Sequence, residues 1–216
     1  MKLLVWGLAP VSPVSPDDSV MAMNHTWVQL FLQSCSDGSV EYVRYCLSLG
    51  VNVNCVRWDG ARGLILSAAG SRLPVLDLLL QQPGIDVNAV EFWWRGTALS
   101  AACRGNNVEI VRRLLSRHDI DVNLGNIDGV TALHQAAARG HSACLELLLA
   151  HPRLDLNKKT RRVYTTHIPS DERGVTAIVM AVKHNQKAAV ELLMQDVRTD
   201  LGTKNENELN LVQIAL

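Results

Sequence analysis

Apolar residues in this chain fall three and four apart in five short runs: Val40 to Leu49, Val75 to Leu80, Val108 to Leu115, Cys144 to Leu149 and Ala188 to Met194. That spacing places them on one face of a helix, so each run predicts an amphipathic α-helix. A second set of runs, rich in small residues, lies upstream: Ala98 to Cys103, Ala132 to Ala138 and Ala177 to Val182. Small side chains there let two helices approach closely. Between the runs stand Gly38, Ser71, Asn106, Gly140 and Asn185. Gly and Asn, which hold all of these positions but Ser71, tolerate the left-handed backbone that ends a helix. Pro74 falls in the first turn of its second helix, where a missing N–H costs nothing.

A tripeptide closes each pair of runs: Asn52-Val53-Asn54, Asp86-Val87-Asn88, Asp121-Val122-Asn123 and Asp155-Leu156-Asn157, the last residues spaced by 34, 35 and 34. A degenerate copy, Asp200-Leu201-Gly202, stands 45 residues further on, about 11 more than a unit of roughly 33–34 residues requires. Asp59-Gly60 and Asp128-Gly129 follow their tripeptides at a fixed offset and favour tight turns with positive φ. The predicted unit is helix, turn, helix, then an extended loop projecting sideways. The recurring Asn54, Asn88, Asn123 and Asn157 are expected to brace that loop by bonding nearby backbone.

The stretch Asp128-Gly129-Val130-Thr131-Ala132-Leu133-His134-Gln135-Ala136-Ala137 resembles the signature of the ankyrin repeat, with Ala where the family carries proline. Thr97-Ala98-Leu99-Ser100 and Thr176-Ala177-Ile178-Val179 are weaker copies, and Arg62-Gly63-Leu64-Ile65 lacks both Thr and His. The resemblance covers Trp27 to the C-terminus. It implies an all-α solenoid of helix-turn-helix units with projecting β-turn loops, which acts by binding protein. The expected organisation is a flexible tail over 1–24, then repeats at 25–58, 59–93, 94–127, 128–172 and 173–206, with an incomplete sixth over 207–216. The resemblance further implies that His134 bonds Thr131 and neighbouring loop backbone. It also implies that Asn88, Asn123 and Asn157, each with a Leu eight residues upstream, are candidates for hydroxylation.

Composition narrows the function. The 21 basic and 21 acidic residues give a formal net charge of zero, which argues against whole-protein attraction to nucleic acid or an anionic membrane. Five cysteines, Cys35, Cys46, Cys55, Cys103 and Cys144, show no metal-ligand spacing and read as reduced thiols of an intracellular protein. The seven histidines come with no companion set of three or four ligands. There is no nucleophile motif and no glycine-rich phosphate loop. The expectation is therefore a monomeric, cytoplasmic or nuclear scaffold, without cofactor, metal or small-molecule substrate, and not an enzyme. Lys2 and the short apolar stretch to Leu8 offer a secretory alternative, and a substrate receptor of a ubiquitin ligase within a longer chain is a second.

Two segments are candidates for the partner surface. Aligning units by their tripeptides puts Trp58, Phe92-Trp93 and Ile127 at one equivalent loop tip, extended by Trp94 and Arg95 and flanked by Arg57 and Arg62. Exposed Trp and Arg dominate binding energy at interfaces. The long loop carries a basic run, Lys158, Lys159, Arg161 and Arg162, suited to an acidic partner or a nuclear import signal.

Overall fold

The computed structural model describes residues 16–57, 60–91, 96–161 and 174–202, with side chains from residue 26 onward. Among these, ten α-helices follow one another as five pairs: α1 (Pro16–Asp37) with α2 (Val40–Ser48), α3 (Gly63–Ala69) with α4 (Leu73–Leu80), α5 (Ala98–Arg104) with α6 (Val108–Leu115), α7 (Ala132–Arg139) with α8 (Ser142–Leu149), and α9 (Ala177–Lys183) with α10 (Lys187–Gln195). The odd-numbered helices pack side by side as an inner layer and the even-numbered ones as an outer layer. The core is the seam between them, where Leu76, Leu99, Ile110, Leu133, Leu145 and Leu148 are buried. The inner layer contributes mainly Ala and other small side chains, which let its helices pack closely.

The turns within pairs follow the expected chemistry. Gly38, Ser71, Asn106, Gly140 and Asn185 all have positive φ, from 54° to 88°. Ser71, with no glycine or amide of its own, is held there by a bond from its hydroxyl to Asn107 Oδ1 at 2.7 Å. Thr97 and Thr131 cap α5 and α7 through their side-chain oxygens, satisfying N–H groups that a helix start leaves open. Gly63 explains the irregular second unit. A Cβ there would lie 3.0 Å from both Cys35 Sγ and the Phe31 ring, so the volume that Ala98 and Ala132 occupy in later units is filled by α1.

One expectation is corrected at the N-terminus. The tail predicted over 1–24 becomes helix from Pro16, and α1 is 22 residues long. Proline is suited to a first helical position. A reading based on low apolar content overlooks such a start. Residues 1–15 and the half-repeat expected over 207–216 lie outside the described residues.

Each segment between a tripeptide and the next inner helix folds back as a hairpin finger. The backbone N–H of Arg57 donates to Ala61 O at 3.0 Å, Glu91 to Gly96 at 3.1 Å, Asn126 to Val130 at 3.1 Å and Thr160 to Val175 at 2.9 Å. Gly60 and Gly129 close the first and third fingers at φ 85° and 75°. The paired ends are 4 residues apart in the third finger and 15 apart in the fourth, so the extra residues of the long unit lie inside the fourth fingertip.

Candidate functional site: the finger row

The tripeptides build the base of each finger in two steps. Their first side chain accepts the N–H of the third residue: Asn52 Oδ1 from Asn54 at 2.8 Å, Asp86 from Asn88 at 3.0 Å, Asp121 from Asn123 at 2.9 Å, Asp155 from Asn157 at 3.0 Å and Asp200 from Gly202 at 2.9 Å. This closes a local turn. The third side chain then reaches across to the next unit. Asn54 Nδ2 donates to Gly84 O at 2.7 Å while its Oδ1 accepts the Asp86 N–H at 2.9 Å. Asn88 clasps Asp119 O and Asp121 N, Asn123 clasps Arg153 O and Asp155 N, and Asn157 clasps Arg198 O and Asp200 N, all between 2.7 and 2.8 Å. The expected bracing of a finger's own backbone is thus corrected: the amides tie each finger base to its successor. Both ends of the amides of Asn88, Asn123 and Asn157, the hydroxylation candidates, are engaged in these clasps.

Arginines add a second tie. Arg153 Nη2 donates to His118 O and Ile120 O at 3.0 and 3.1 Å, and Arg198 Nη2 donates to Leu149 O at 2.8 Å. Guanidinium groups supply donors for carbonyls left open at helix ends.

His134 joins an inner helix to the fourth finger. It is fully buried; its Nδ1 accepts the Thr131 N–H at 3.3 Å and lies 2.9 Å from Thr131 Oγ1, and its Nε2 lies 3.2 Å from Val175 O. These partners fit a neutral ring with the proton on Nε2. Burial, opposed in part by the Val175 bond, brings its pKa down to about 4. Burial likewise raises the Cys55 thiol to about 11, far from the range in which a thiol acts as nucleophile.

Of the predicted partner residues, the structure gathers Arg57, Arg62, Ile127, Lys158, Lys159 and Arg161 on the fingers. Lys159 and Arg161 are exposed, whereas Ile127 is half-buried. Arg62 Nη1 donates to Asn54 O at 2.9 Å and Lys158 Nζ to Asn123 O at 2.7 Å, so both serve finger structure. Trp58, Phe92, Trp93, Trp94, Arg95 and Arg162 lie outside the described residues. Sequence reasoning missed Val56 and Val90, two residues beyond Asn54 and Asn88, which are 45% and 38% exposed. It also missed a shallow pocket between the fingers and the inner helices, lined by Glu91, Gly96, Arg104, Asn126 and Gln135 among others. The equivalent offset from each tripeptide would have found the valines; the pocket needed the stacking. Beside it Arg139 bonds Gln135 Oε1 at 2.6 Å, and burial together with the Arg104 charge lowers its pKa.

Residues 90–160 match the family model for ankyrin repeats, in three copies. Over 130 residues the chain is 34% identical to cortactin-binding protein 2 of Mus musculus, covering 58% of this chain and 8% of that protein. Over 110 residues it is 36% identical to SMC5-SMC6 complex localization factor protein 1 of Bos taurus, covering 49% of this chain and 10% of that protein. The chain thus spans a tenth or less of the length of these relatives. Among the described residues no helix is long and apolar enough to cross a membrane.

Proposed function

From the ankyrin repeats that this chain stacks as an all-α solenoid, we propose that it is a protein-binding scaffold or adaptor taking its partner on the finger row and the inner-helix face. The observation that carries this reading is the asparagine ladder. Four successive amides hold the finger bases in register, so little ordering entropy remains to be lost when a partner binds. The exposed side chains of Val56 and Val90 lie along fingers held this way, and exposed apolar groups on a rigid platform favour association. The names of the relatives, a cortactin-binding protein and a complex localization factor, agree with a role in protein association.

The partner residues are assigned to the tips: Arg57, Trp58, Phe92, Trp93, Trp94, Arg95 and Ile127, with Lys159, Arg161 and Arg162 of the basic run. The test is a Trp58→Ala/Trp93→Ala double variant carried through partner capture and thermal melting. The expected result is loss of the captured partner with the melting temperature nearly unchanged. A partner retained at full affinity by a variant that melts several degrees lower would make these side chains internal packing and overturn the assignment.

A further inference from the structure

A formal net charge of zero hides a polarised distribution. The fingers (55–62, 89–97, 124–131 and 158–176) and the five inner helices together hold eleven basic and eight acidic residues, three of the acids on α1, leaving ten basic and thirteen acidic in the rest of the chain. From α3 onward, acid among the described residues of this face is confined to Glu91 and Asp128. The outer layer carries compensating ion pairs of its own, such as Arg113 with Asp77 and Glu109. The inner helices end on the opposite note: α5, α7 and α9 each carry a base in the last turn, Arg104, Arg139 and Lys183.

The face is also graded along its length. At the position two residues beyond each clasping asparagine stand Val56, Val90, Gly125 and Lys159 in order. The first two are exposed and apolar, and the last is exposed and basic. Arg161 is exposed one step nearer the fourth fingertip, its N–H tied to Asp128 O of the third finger at 2.6 Å. Arg139, exposed at the end of α7, bonds Gln135 Oε1 at 2.6 Å.

Resting on the finger row as the binding face, we infer that it takes an extended protein segment whose large apolar side chains lie on Val56 and Val90 and whose Asp or Glu carboxylates lie over Lys159 and Arg161. Fingers stacked about 10 Å apart give three intervals, a length that about nine residues of extended chain cover. Guanidinium groups favour carboxylates through paired hydrogen bonds, while the apolar end supplies affinity without charge. Nucleic acid fits less well. A neutral chain gains little from counterion release, and the exposed bases gather at one end of the row instead of tracking its length.

The test is selection of random nonapeptides displayed against the intact chain, with the winners measured by fluorescence anisotropy at low and high salt. Winners are expected to pair large apolar residues at one end with Asp or Glu at the other. Their affinity should fall on the order of tenfold in Lys159→Glu/Arg161→Glu and fall further with salt, with the melting temperature unchanged. Winners without acidic bias, indifferent to that variant but lost in Val56→Asp/Val90→Asp, would overturn the inference and leave the scaffold reading standing. No winners, or winners indifferent to both variants, would overturn both. Binding of single-stranded RNA that the same charge reversals abolish would replace the acidic segment with a phosphate backbone.

Discussion

His134 is buried, neutral and fully partnered, and its ionisation therefore couples to stability. An unfolded histidine titrates near pH 6.5, whereas this one does so at about 4. Above pH 6.5 the ring is neutral in both states and its contribution is constant. As pH falls from about 6.5 to 4 the unfolded chain takes up the proton first, and stability is lost; below the folded pKa the loss levels off. The shift corresponds to at most about 3 kcal/mol. Urea unfolding at pH 7 and pH 4.5 checks this: the wild type should lose markedly more stability on acidification than His134→Gln. The carboxyls of Asp119 and Asp196, held below the usual carboxylate range by Arg117 and Arg198, act at lower pH, while His151, lowered by burial and the Arg153 charge, contributes in the same window in both proteins. Gly63 gives a second residue-scale prediction. Ala would gain up to about 1 kcal/mol of helix propensity but press on buried Phe31 and Cys35, and overpacking costs about 1–3 kcal/mol. Gly63→Ala should therefore lower the melting temperature, and Phe31→Leu in the same chain should recover part of the loss.

The finger is the element on which the account turns, and its base is defined by hydrogen bonds between units. Replacing Asn123 by Ala removes its bonds to Arg153 O and Asp155 N, at a cost of about 2 kcal/mol in chemical denaturation. Asn123→Asp should cost at least as much, because a carboxylate has no donor for the Arg153 carbonyl. The fourth finger should be far more tolerant. Replacing residues 161–174 with the Ile-Asp-Gly turn of the third finger keeps the Thr160–Val175 pairing, and the melting temperature should stay within a few degrees. Helix pairs, left-handed turns and the finger carrying the long insertion were all legible as sequence, because each depends on residues a few positions apart, and the His134–Thr131 bond was implied by the family resemblance. The asparagine clasps were not. Their partners stand 30 or more residues away, and a chain-local reading assigns an amide to the nearest backbone. Arg62 and Lys158 read as binding groups for the same reason, since the carbonyls they serve become neighbours only when the fingers stack.

Over the whole molecule, the described helix pairs pack chiefly against their neighbours, so stability is carried from unit to unit and a lost clasp weakens one interface in particular. Charge is arranged at the same scale: a neutral chain presents a basic, partly apolar face along its fingers and an acidic remainder. Both the rigid display and the proposed partner depend on the ladder holding the finger bases still. Amide hydrogen exchange reads that ladder directly, at the N–H groups of Asp86, Asp121, Asp155 and Asp200 that the asparagines accept. In the wild type these amides should exchange about as slowly as the inner helices, and Asn123→Ala should release Asp155 alone. Fast exchange of all four in the wild type, as in an open loop, would contradict the account.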